Sequence, residues 1–454
     1  MENKEYLDIE VLSKKYDETK IPLYLSYPTM TYWHNHSEEN NFLKHIQEEP
    51  NPFLYFHFPY CKKACYYCAC FKLVESTEEE VDIYLDYLEK EISMKANSMS
   101  SRDLSVEHMH WGGGTPTNLS LKQLERIYSI IEKHFHIVSN EKASISIESY
   151  PDFTLIDREK LTLLRDLGFT EISFGIQDFD ETVQKAINRD CKFETVERLF
   201  TEARKLGLRI HVDLCYGLPF QEMAGFSDTI NKILMIQPDR IAVENYAHFP
   251  LVYPLQRKIP LASIPNSFMR ILLYILGRDM LLSNGYKEVG LYHFVKEDNN
   301  MYKAFIEKKI NRDLMGYSVG DRRQFIGFGN SSISFIGNTY FHNKSSINEY
   351  YQWIDENKLP LEDKSSHILT DDDLIRNIII QKEILTYLQI DKTKINNEYH
   401  VKFDDYFHTE LKNLSKFEDD HVLCFEDNII KIVGHGKYIA KHIAFVFDKY
   451  YRKE

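Results

Sequence analysis

Four of the chain's seven cysteines lie within ten residues, in the segment YFHFPYCKKACYYCACFK. Cys61, Cys65 and Cys68 have the spacing C-x3-C-x2-C, and Cys70 follows two residues later. Cysteines that fall by chance rarely cluster so tightly, whereas metal and iron–sulfur sites use closely spaced thiolates. This segment is therefore a candidate metal or iron–sulfur site.

Three kinds of site use cysteines in this way: a disulfide framework, a zinc site and an iron–sulfur cluster. Disulfide frameworks suit small secreted domains, and this chain of 454 residues begins with the acidic MENKEYLDIEV rather than an export signal. Zinc sites usually draw four ligands from two separated pairs, and the sequence shows no second pair. We favour a four-iron cluster, in which three thiolates leave one iron free to bind a cofactor's amino and carboxylate groups.

Strand-like and helix-like segments alternate along residues 53–250, which indicates a parallel sheet with right-handed crossovers. Six such units fall short of the eight of a closed barrel, so we expect an α/β fold with an open, partial (β/α)6 barrel. The predicted strands are FLYFHF (53–58), VEHMHW (106–111), ASISIES (143–149), EISFGIQ (171–177), RIHVDLCYG (209–217) and DRIAVENYAHF (239–249).

Polar residues and glycines follow each of these strands. In such barrels functional residues gather at the carboxyl ends of the strands, so we expect these groups to share one rim. GGGTP lacks the Lys-Ser/Thr of a phosphate-binding loop; its glycines are predicted to let the backbone approach a ligand and offer N–H groups to a carboxylate. Besides the cysteines, the rim is predicted to carry Gly112–Thr115, Glu148, Gln177, Asp213 and the stretch 245–248.

The flanking segments are predicted to form three further parts. Residues 1–52 form an N-terminal arm and residues 251–359 extend the barrel with a segment that contacts substrate and cofactor. Residues 360–454 form a small, mainly helical domain and a candidate lid. Within it, Thr370 and the three aspartates that follow predict a helix N-terminus, and HVLCFEDNIIKIV (421–433) predicts a hairpin.

The net charge of −14 excludes broad binding to nucleic acid or anionic membranes, which requires a basic surface. It leaves room for a local basic pocket that binds an anionic ligand. The most apolar helical run, ILLYILGRDMLL, is broken by Arg278 and Asp279, so no membrane span is expected. We expect a cytoplasmic protein.

The cysteine motif follows the first predicted strand and GGGTP follows the second. This combination resembles the pattern of the radical S-adenosylmethionine (SAM) superfamily. Within it, the chain resembles the oxygen-independent coproporphyrinogen III oxidase (dehydrogenase) family along nearly its whole length. The matching stretches are SYPT (26–29), CYYCAC (65–70), WGGGTPT (111–117), GIQDF (175–179), NR (188–189), DLCYGLP (213–219), NYAH (245–248), RKI (257–259), HF (293–294) and FDKYYR (447–452).

This resemblance implies a [4Fe-4S] cluster, two molecules of SAM and a porphyrinogen substrate. A radical formed by reductive cleavage of SAM would take hydrogen from the β-carbon of a propionate. Loss of CO₂ and an electron then leaves a vinyl group, and two rounds give protoporphyrinogen IX in anaerobic haem biosynthesis. The family also implies a one-electron donor protein such as a flavodoxin or ferredoxin, and a monomer.

The resemblance also implies roles for individual residues. Cys61, Cys65 and Cys68 would ligate the cluster, Cys70 would not, and His57 would be essential for catalysis together with Tyr55 and Glu148. The cluster-bound SAM would contact Tyr55, Gly113, Glu148 and Ile333. The second SAM would contact Tyr67, Gly114, Thr115, Gln177, Arg189, Asp213 and Ala247.

Several positions depart from the family pattern and replace polar groups near cofactor or substrate. These are Leu23, Leu25, Phe71, Ser149-Tyr150, Leu314-Met315 and Tyr292. Arg322 and Arg323 are candidates to compensate for the missing arginine, or form a solvated pair. The departures keep a second hypothesis open, a related methylase or cyclopropanase that uses both SAM molecules on another substrate. A haem chaperone is a third, disfavoured because Ala69 and Cys70 stand where such relatives carry Asp-Phe.

Overall fold

A computed structural model describes residues 3–17, 21–36, 38–47, 53–99, 105–138, 143–320 and 324–451. Within these residues the main sheet has twelve strands, in the order β7-β8-β6-β5-β4-β3-β2-β1-β9-β10-β11-β12. The strands are β1 (Phe53–Phe58), β2 (His108–Gly113), β3 (Ser144–Ser149), β4 (Glu171–Gln177), β5 (Arg209–Tyr216), β6 (Arg240–Asn245), β7 (Tyr286–Val289), β8 (His293–Lys296), β9 (Phe325–Phe328), β10 (Ile333–Ile336), β11 (Thr339–His342) and β12 (His367–Ile368).

The six predicted strands are confirmed, and β1 to β6 run parallel in chain order across the sheet. Helices occupy the crossovers between them, as a parallel sheet requires. The helices are α1 (Asn3–Lys15), α2 (Glu39–Gln47), α3 (Glu78–Asn97), α4 (Leu121–His134), α5 (Arg158–Asp166), α6 (Glu181–Ala186), α7 (Phe193–Lys205), α8 (Met223–Ile236), α9 (Ser267–Ser283), α10 (Asn300–Ile306), α11 (Ile347–Asp355), α12 (Asp371–Asn377), α13 (Leu385–Tyr387), α14 (Lys392–Tyr399), α15 (Phe403–Tyr406), α16 (His408–Asp419) and α17 (Ala440–Phe445).

The sheet is wider than predicted on both sides. β9 adds a further parallel strand beside β1, and β10 to β12 continue from it in antiparallel order. On the other side β8 and β7 add to β6 in antiparallel order. β2 also extends beyond its predicted end at Trp111, because Gly112 and Gly113 pair with His57 and Phe58 of β1.

Alternation along the parallel strands separates the apolar core from the face that carries the site. In β1, Leu54, Phe56 and Phe58 are fully buried in the main hydrophobic cluster. Side chains of successive strand residues point to opposite faces, so Tyr55 and His57 lie on the other face. The covering helices therefore hold the sheet from one side and leave polar side chains on the other.

The predicted helix and hairpin signals of the flanking segments are also confirmed. Thr370 accepts a hydrogen bond from the Asp373 N–H, and the Asp373 carboxylate accepts one from the Thr370 N–H, which forms a capping box at the start of α12. The hairpin pairs Leu423–Glu426 with Ile429–Ile432, and Gln389–Asp391 adds a third strand.

The N-terminal segment packs onto the C-terminal helices rather than standing apart from them. Tyr24 and Tyr27 are fully buried in a second hydrophobic cluster with residues of α12 to α17, among them Phe403 and Phe417. In the described part of the chain, no helix combines the length and apolar character needed to span a bilayer.

Candidate active site at the carboxyl ends of the strands

The cysteine loop leaves the carboxyl end of β1. Cys61, Cys65, Cys68 and Cys70 are all free thiols, so none is used in a disulfide. The loop is closed at its base where Tyr60–Cys61 pairs with Leu73–Val74. This closure presents the predicted ligands Cys61, Cys65 and Cys68 from one short loop beside the rim.

A turn after α6 anchors the middle of this loop. The backbone N–H of Tyr66 donates to the Ile187 carbonyl at 3.0 Å, and the side-chain amide of Asn188 donates to the Ala64 carbonyl at 2.7 Å. Asn188 has a positive φ of 56°, a conformation that asparagine tolerates better than most residues. The fourth β/α unit thus fixes the cysteine loop of the first.

The thiols differ in their electrostatic environment. A hydrogen bond from the Cys70 thiol lowers the pKa of Cys68 to about 6, against the opposing effect of burial. Burial raises the pKa of Cys61 to about 11, although Thr115 Oγ1 lies 3.6 Å from its sulfur. Across the residues that the structure describes, no three His, Cys, Asp or Glu side chains surround a single-ion site.

Glu148 lies at the end of β3 and is held from two sides. His110 Nε2 donates to Oε1 at 3.0 Å, and the Gly113 N–H donates to Oε2 at 3.2 Å. Ser146 Oγ lies 2.7 Å from the other nitrogen of His110 and fixes its ring. The Glu148 side chain remains 41% exposed, so it keeps acceptor capacity toward the rim.

His57 and Tyr55 form a hydrogen-bonded pair on the same face of β1. Tyr55 Oη lies 3.0 Å from His57 Nδ1, and His57 Nε2 lies 3.3 Å from the Phe71 carbonyl. A carbonyl can only accept, so Nε2 carries the proton and Nδ1 accepts from the tyrosine. Burial lowers the pKa of His57 to about 4, which keeps the ring neutral at physiological pH.

Gly113 and Gly114 lie where a side chain would not fit. A Cβ at Gly113, whose φ is +103°, would lie 2.5 Å from the His57 ring, and one at Gly114 would lie 2.7 Å from the backbone of Pro59. The Gly114 N–H donates to the Phe58 carbonyl at 2.8 Å, and the Gly113 N–H is held by Glu148. Both N–H groups therefore support the loop instead of pointing freely at a ligand.

Arg189 connects the cysteine loop to β4. Its Nη1 donates to the Cys65 sulfur at 3.1 Å, its Nη2 donates to the Gly175 carbonyl, and its guanidinium lies 4.4 Å from the ring centre of Tyr150. Its Nε–H is buried and has no partner among the described residues. Gln177 has a positive φ of 71° at a bulge in β4. Its side-chain amide and the Arg189 guanidinium both lie beside Gly175.

The remaining predicted residues complete the rim. Gln256 donates from Nε2 to the carbonyls of Tyr67 and Ala247, both at 3.0 Å, and so joins the cysteine loop to the end of β6. Ile333 begins β10, where its carbonyl approaches Gly327, the residue paired with Tyr55. Ile333 is thus two strands from β1.

Asp213 lies on β5 and accepts a hydrogen bond from Ser173 Oγ at 2.9 Å. His211 Nε2 lies 3.8 Å from its other oxygen. Burial raises the pKa of Asp213 to about 6, so the carboxylate is ionised only at near-neutral pH and above. The predicted rim residues are therefore gathered at neighbouring strand ends.

Comparison with known proteins supports this geometry. A family model of the radical SAM superfamily matches residues 55–233. Oxygen-independent coproporphyrinogen III oxidase of Escherichia coli is 34% identical over 436 residues, which cover 95% of this chain and 93% of that protein. The chain belongs to the oxygen-independent coproporphyrinogen III oxidase family.

A second relative and a solved structure agree. The Helicobacter pylori 26695 oxidase is 35% identical over 95% of this chain and 94% of its own length. The solved structure of the E. coli coproporphyrinogen III oxidase, described as a radical SAM enzyme, has a TM-score of 0.85 at 32% identity and covers 95% of this chain and 100% of that one. The predicted family and fold class are confirmed.

The residues present fit the cofactors of the radical SAM superfamily. Three free thiols on one loop form a soft donor set suited to an iron–sulfur cluster, which this superfamily uses with SAM. The buried, unpartnered Nε–H of Arg189 beside Cys65 is a donor for an anionic group.

Four residues of the site were not predicted from the sequence. His110, Ser146, Tyr150 and Gln256 each position a predicted residue through the contacts above. Of these, His110 and Ser146 could have been found, because they lie on the same face of their strands as Gly112 and Glu148. Tyr150 and Gln256 follow strand ends at positions that periodicity does not specify.

The structure also explains some departures from the family pattern. Leu314 and Met315 pack against the cluster of Trp33, Phe325 and neighbours, so apolar side chains suit these positions. Phe71 serves the site through its carbonyl, which any residue supplies. Arg322 and Arg323, the candidates to compensate for the missing arginine, lie outside the described residues.

Proposed function

We propose that this protein catalyses the oxygen-independent oxidative decarboxylation of coproporphyrinogen III to protoporphyrinogen IX, a reaction of haem biosynthesis. The observation that carries the proposal is the similarity to enzymes of that name over 95% of the chain, together with a cysteine loop at the rim of the same fold. When bound, the cluster and SAM supply a radical that removes hydrogen from the substrate. The protein's own residues bind, orient and shield the reactants.

In this proposal Cys61, Cys65 and Cys68 hold the cluster, and Arg189 stabilises it from outside. The guanidinium already donates to the Cys65 sulfur, and hydrogen bonds to a ligand sulfur stabilise its thiolate. Tyr150 holds the guanidinium from its other side through a cation–π contact.

Glu148 is placed to receive the amino group or ribose hydroxyls of the cluster-bound SAM, because its carboxylate is oriented by His110 and Gly113 yet partly exposed. Neutral His57 keeps Tyr55 in position rather than carrying a charge. The proposed contacts of this SAM are Tyr55, Gly113, Glu148 and Ile333. Those of the second SAM are Tyr67, Gly114, Thr115, Gln177, Arg189, Asp213 and Ala247.

The proposal extends to the setting of the reaction. The protein acts as a cytoplasmic monomer and takes its electron from a small donor protein such as a flavodoxin or ferredoxin. Its parts are the arm (1–52), the barrel (53–250), the extension (251–359) and a C-terminal domain (360–454) that acts as a lid. The packing of Tyr24 and Tyr27 against the C-terminal helices supports a joint action of the arm and the lid.

The test is a reaction under anaerobic conditions with the cluster-loaded protein, SAM, reductant and coproporphyrinogen III, followed by mass spectrometry. We expect successive loss of CO₂ from two propionates, with methionine and 5′-deoxyadenosine as co-products. A Cys61→Ala variant, which lacks one proposed ligand, serves as the inactive control. Methylated porphyrinogen with S-adenosylhomocysteine, or haem binding without SAM cleavage, would contradict the proposal.

A further inference from the structure

A cavity lies between α9, the ends of β5 and β6, and the C-terminal residues 437–438. Its empty volume is about 430 Å³ with its open mouth included. Arg270 of α9 lines it and is only 7% exposed. The Nε and Nη2 atoms of this guanidinium are buried and have no hydrogen-bond partner among the described residues.

Two other cations near this cavity, Lys437 and Arg278, are already neutralised by Glu288. Lys437 contacts both oxygens of Glu288 at 2.6 Å, and Arg278 Nε donates to the same carboxylate at 2.8 Å. Tyr274 also donates to Glu288. On the first turn of α9, Ser267 donates to the Asp17 carboxylate. Arg270 differs from these two cations, because its buried N–H groups have no partner among the described residues. Leaving them unsatisfied costs free energy unless an anion or water binds there.

The positions of these unpartnered nitrogen atoms indicate which chemical group would fit them. Nε and Nη2 form one edge of the guanidinium, and their two parallel N–H groups match the two oxygens of a carboxylate. Three aromatic rings line the same cavity. The ring centre of Tyr274 lies 5.3 Å from that of Tyr216 and 5.4 Å from that of Tyr292. A cation at an aromatic wall suits a ligand that carries a carboxylate on a flat ring.

The cavity belongs to the rim that carries the candidate active site. Tyr216 and Asn245, which line it, are the last residues of β5 and β6. Arg270 packs on the residue after β5, since a Cβ at Gly217 would lie 2.5 Å from Nε. Partial burial lowers the pKa of His248, which follows β6, and the charge of Arg270 lowers it further.

We infer that Arg270 is a substrate-positioning residue, whose Nε–Nη2 edge binds one propionate carboxylate of the tetrapyrrole in this cavity. The inference rests on the proposed function, because it names the binding contact of that same substrate. In this proposal one carboxylate arm enters the cavity, and the ring system of the tetrapyrrole lies outside it, along the rim.

The test measures binding separately from turnover. Coproporphyrin III, a stable tetracarboxylate analogue, and its tetramethyl ester are titrated by fluorescence into the cluster-loaded enzyme without reductant. Loss of one charge-assisted hydrogen-bonded pair in Arg270→Gln should weaken coproporphyrin binding by roughly 10- to 100-fold. Binding of the ester should stay unchanged, and Arg270→Lys should restore part of the affinity for coproporphyrin.

A matched control sharpens the result. Arg158→Gln removes an arginine whose side chain is 76% exposed, on the distant helix α5, and should leave affinity unchanged. Turnover should show a raised KM for coproporphyrinogen with kcat largely retained in Arg270→Gln.

Unchanged coproporphyrin affinity in Arg270→Gln would overturn the inference, as would an equal loss of ester binding. These failures are distinct from failure of the proposed function. If the unaltered enzyme releases no CO₂ yet binds coproporphyrin through Arg270, the proposed reaction is wrong and the carboxylate site stands.

Discussion

At the scale of single residues, the proposed roles in the cysteine loop separate three cluster ligands from a fourth thiol, Cys70, that supports them. Cys70 is hydrogen-bonded to Cys68, and this bond lowers the pKa of Cys68 to about 6. We therefore expect Cys70→Ser to retain the cluster, because a serine hydroxyl still donates to the Cys68 sulfur. Cys68→Ser should lose it. Iron content and the charge-transfer absorbance of anaerobically reconstituted protein measure both, and a colourless Cys70→Ser protein would refute the supporting role.

Asp213 gives a prediction about pH. Burial raises its pKa from the ordinary value to about 6, so between these two pH values the folded protein binds more protons than the unfolded chain. Its contribution to stability is therefore fully present at low pH and is lost as pH rises through 6. Asp213→Asn should stabilise the cofactor-free protein at pH 7.5 by about 1 kcal/mol, less than full linkage, because water screens a partly exposed side chain.

The comparison of Tm for Asp213→Asn and the unaltered protein at several pH values checks this. The advantage of the variant should shrink as the pH falls below 6 and vanish near pH 4, where the native aspartate is neutral. An advantage that does not depend on pH would show that packing, not ionisation, is responsible.

Most of the site residues that were predicted from the sequence lie toward the carboxyl end of a parallel strand, just after one, or within the cysteine motif. Glu148, Gln177 and Asp213 could be predicted because parallel strands end at one edge. Tyr150 could not, because its partner Arg189 lies in a different β/α unit. Contacts across units depend on the three-dimensional arrangement of the loops, which periodicity does not encode.

At the scale of elements, a buried ion pair on α3 secures β9 to the barrel. Lys95 and Glu91 are both fully buried and lie 2.6 Å apart. Lys95 Nζ also donates to the Gly327 carbonyl at 2.6 Å, and Glu91 accepts from the Gly329 N–H at 2.7 Å. Helix α3 thus provides partners for the carboxyl end of a strand that is far away in sequence.

Lys95→Met should destabilise the protein by about 3–5 kcal/mol, because it leaves the Glu91 carboxylate buried without its cation. Lys90→Met on the same helix is the matched control. Lys90 is 52% exposed and pairs with an exposed Asp355, so its loss should cost less than about 1 kcal/mol. The denaturant concentrations at which the two variants are half unfolded test this prediction. Equal midpoints would mean that the buried pair adds no stability.

β9 also shows why elements can be missed in a sequence. Phe325–Phe328 is only four residues long and all four are buried, so it has no alternation to mark it as a strand. Its partner β1 lies some 270 residues earlier, and β1 was predicted because the alternating FLYFHF precedes the cysteine motif. Consecutive β/α units follow from local signals, whereas a strand added from far along the chain needs tertiary packing.

At the scale of the whole molecule, the N-terminal segment ties the C-terminal domain to the sheet. The Tyr24 hydroxyl donates to Asp448 at 3.0 Å, and its carbonyl accepts from Gln381 at 3.0 Å. A few residues later, Trp33 stacks on Tyr340 of β11 with ring centres 4.5 Å apart. One short segment therefore contacts both the C-terminal domain, which is the proposed lid, and strand β11 of the main sheet.

This arrangement predicts a difference between two adjacent residues. Tyr24 is fully buried, so Tyr24→Ala leaves a cavity and removes a donor from Asp448; we expect a loss of about 3–5 kcal/mol. Leu25 is 52% exposed, and Leu25→Ala should cost less than about 1 kcal/mol. Limited proteolysis locates the effect, because Tyr24→Ala should expose residues 371–451 to cleavage while the barrel stays resistant. Equal protection of that region in both variants would show that the C-terminal domain is held without the N-terminal segment.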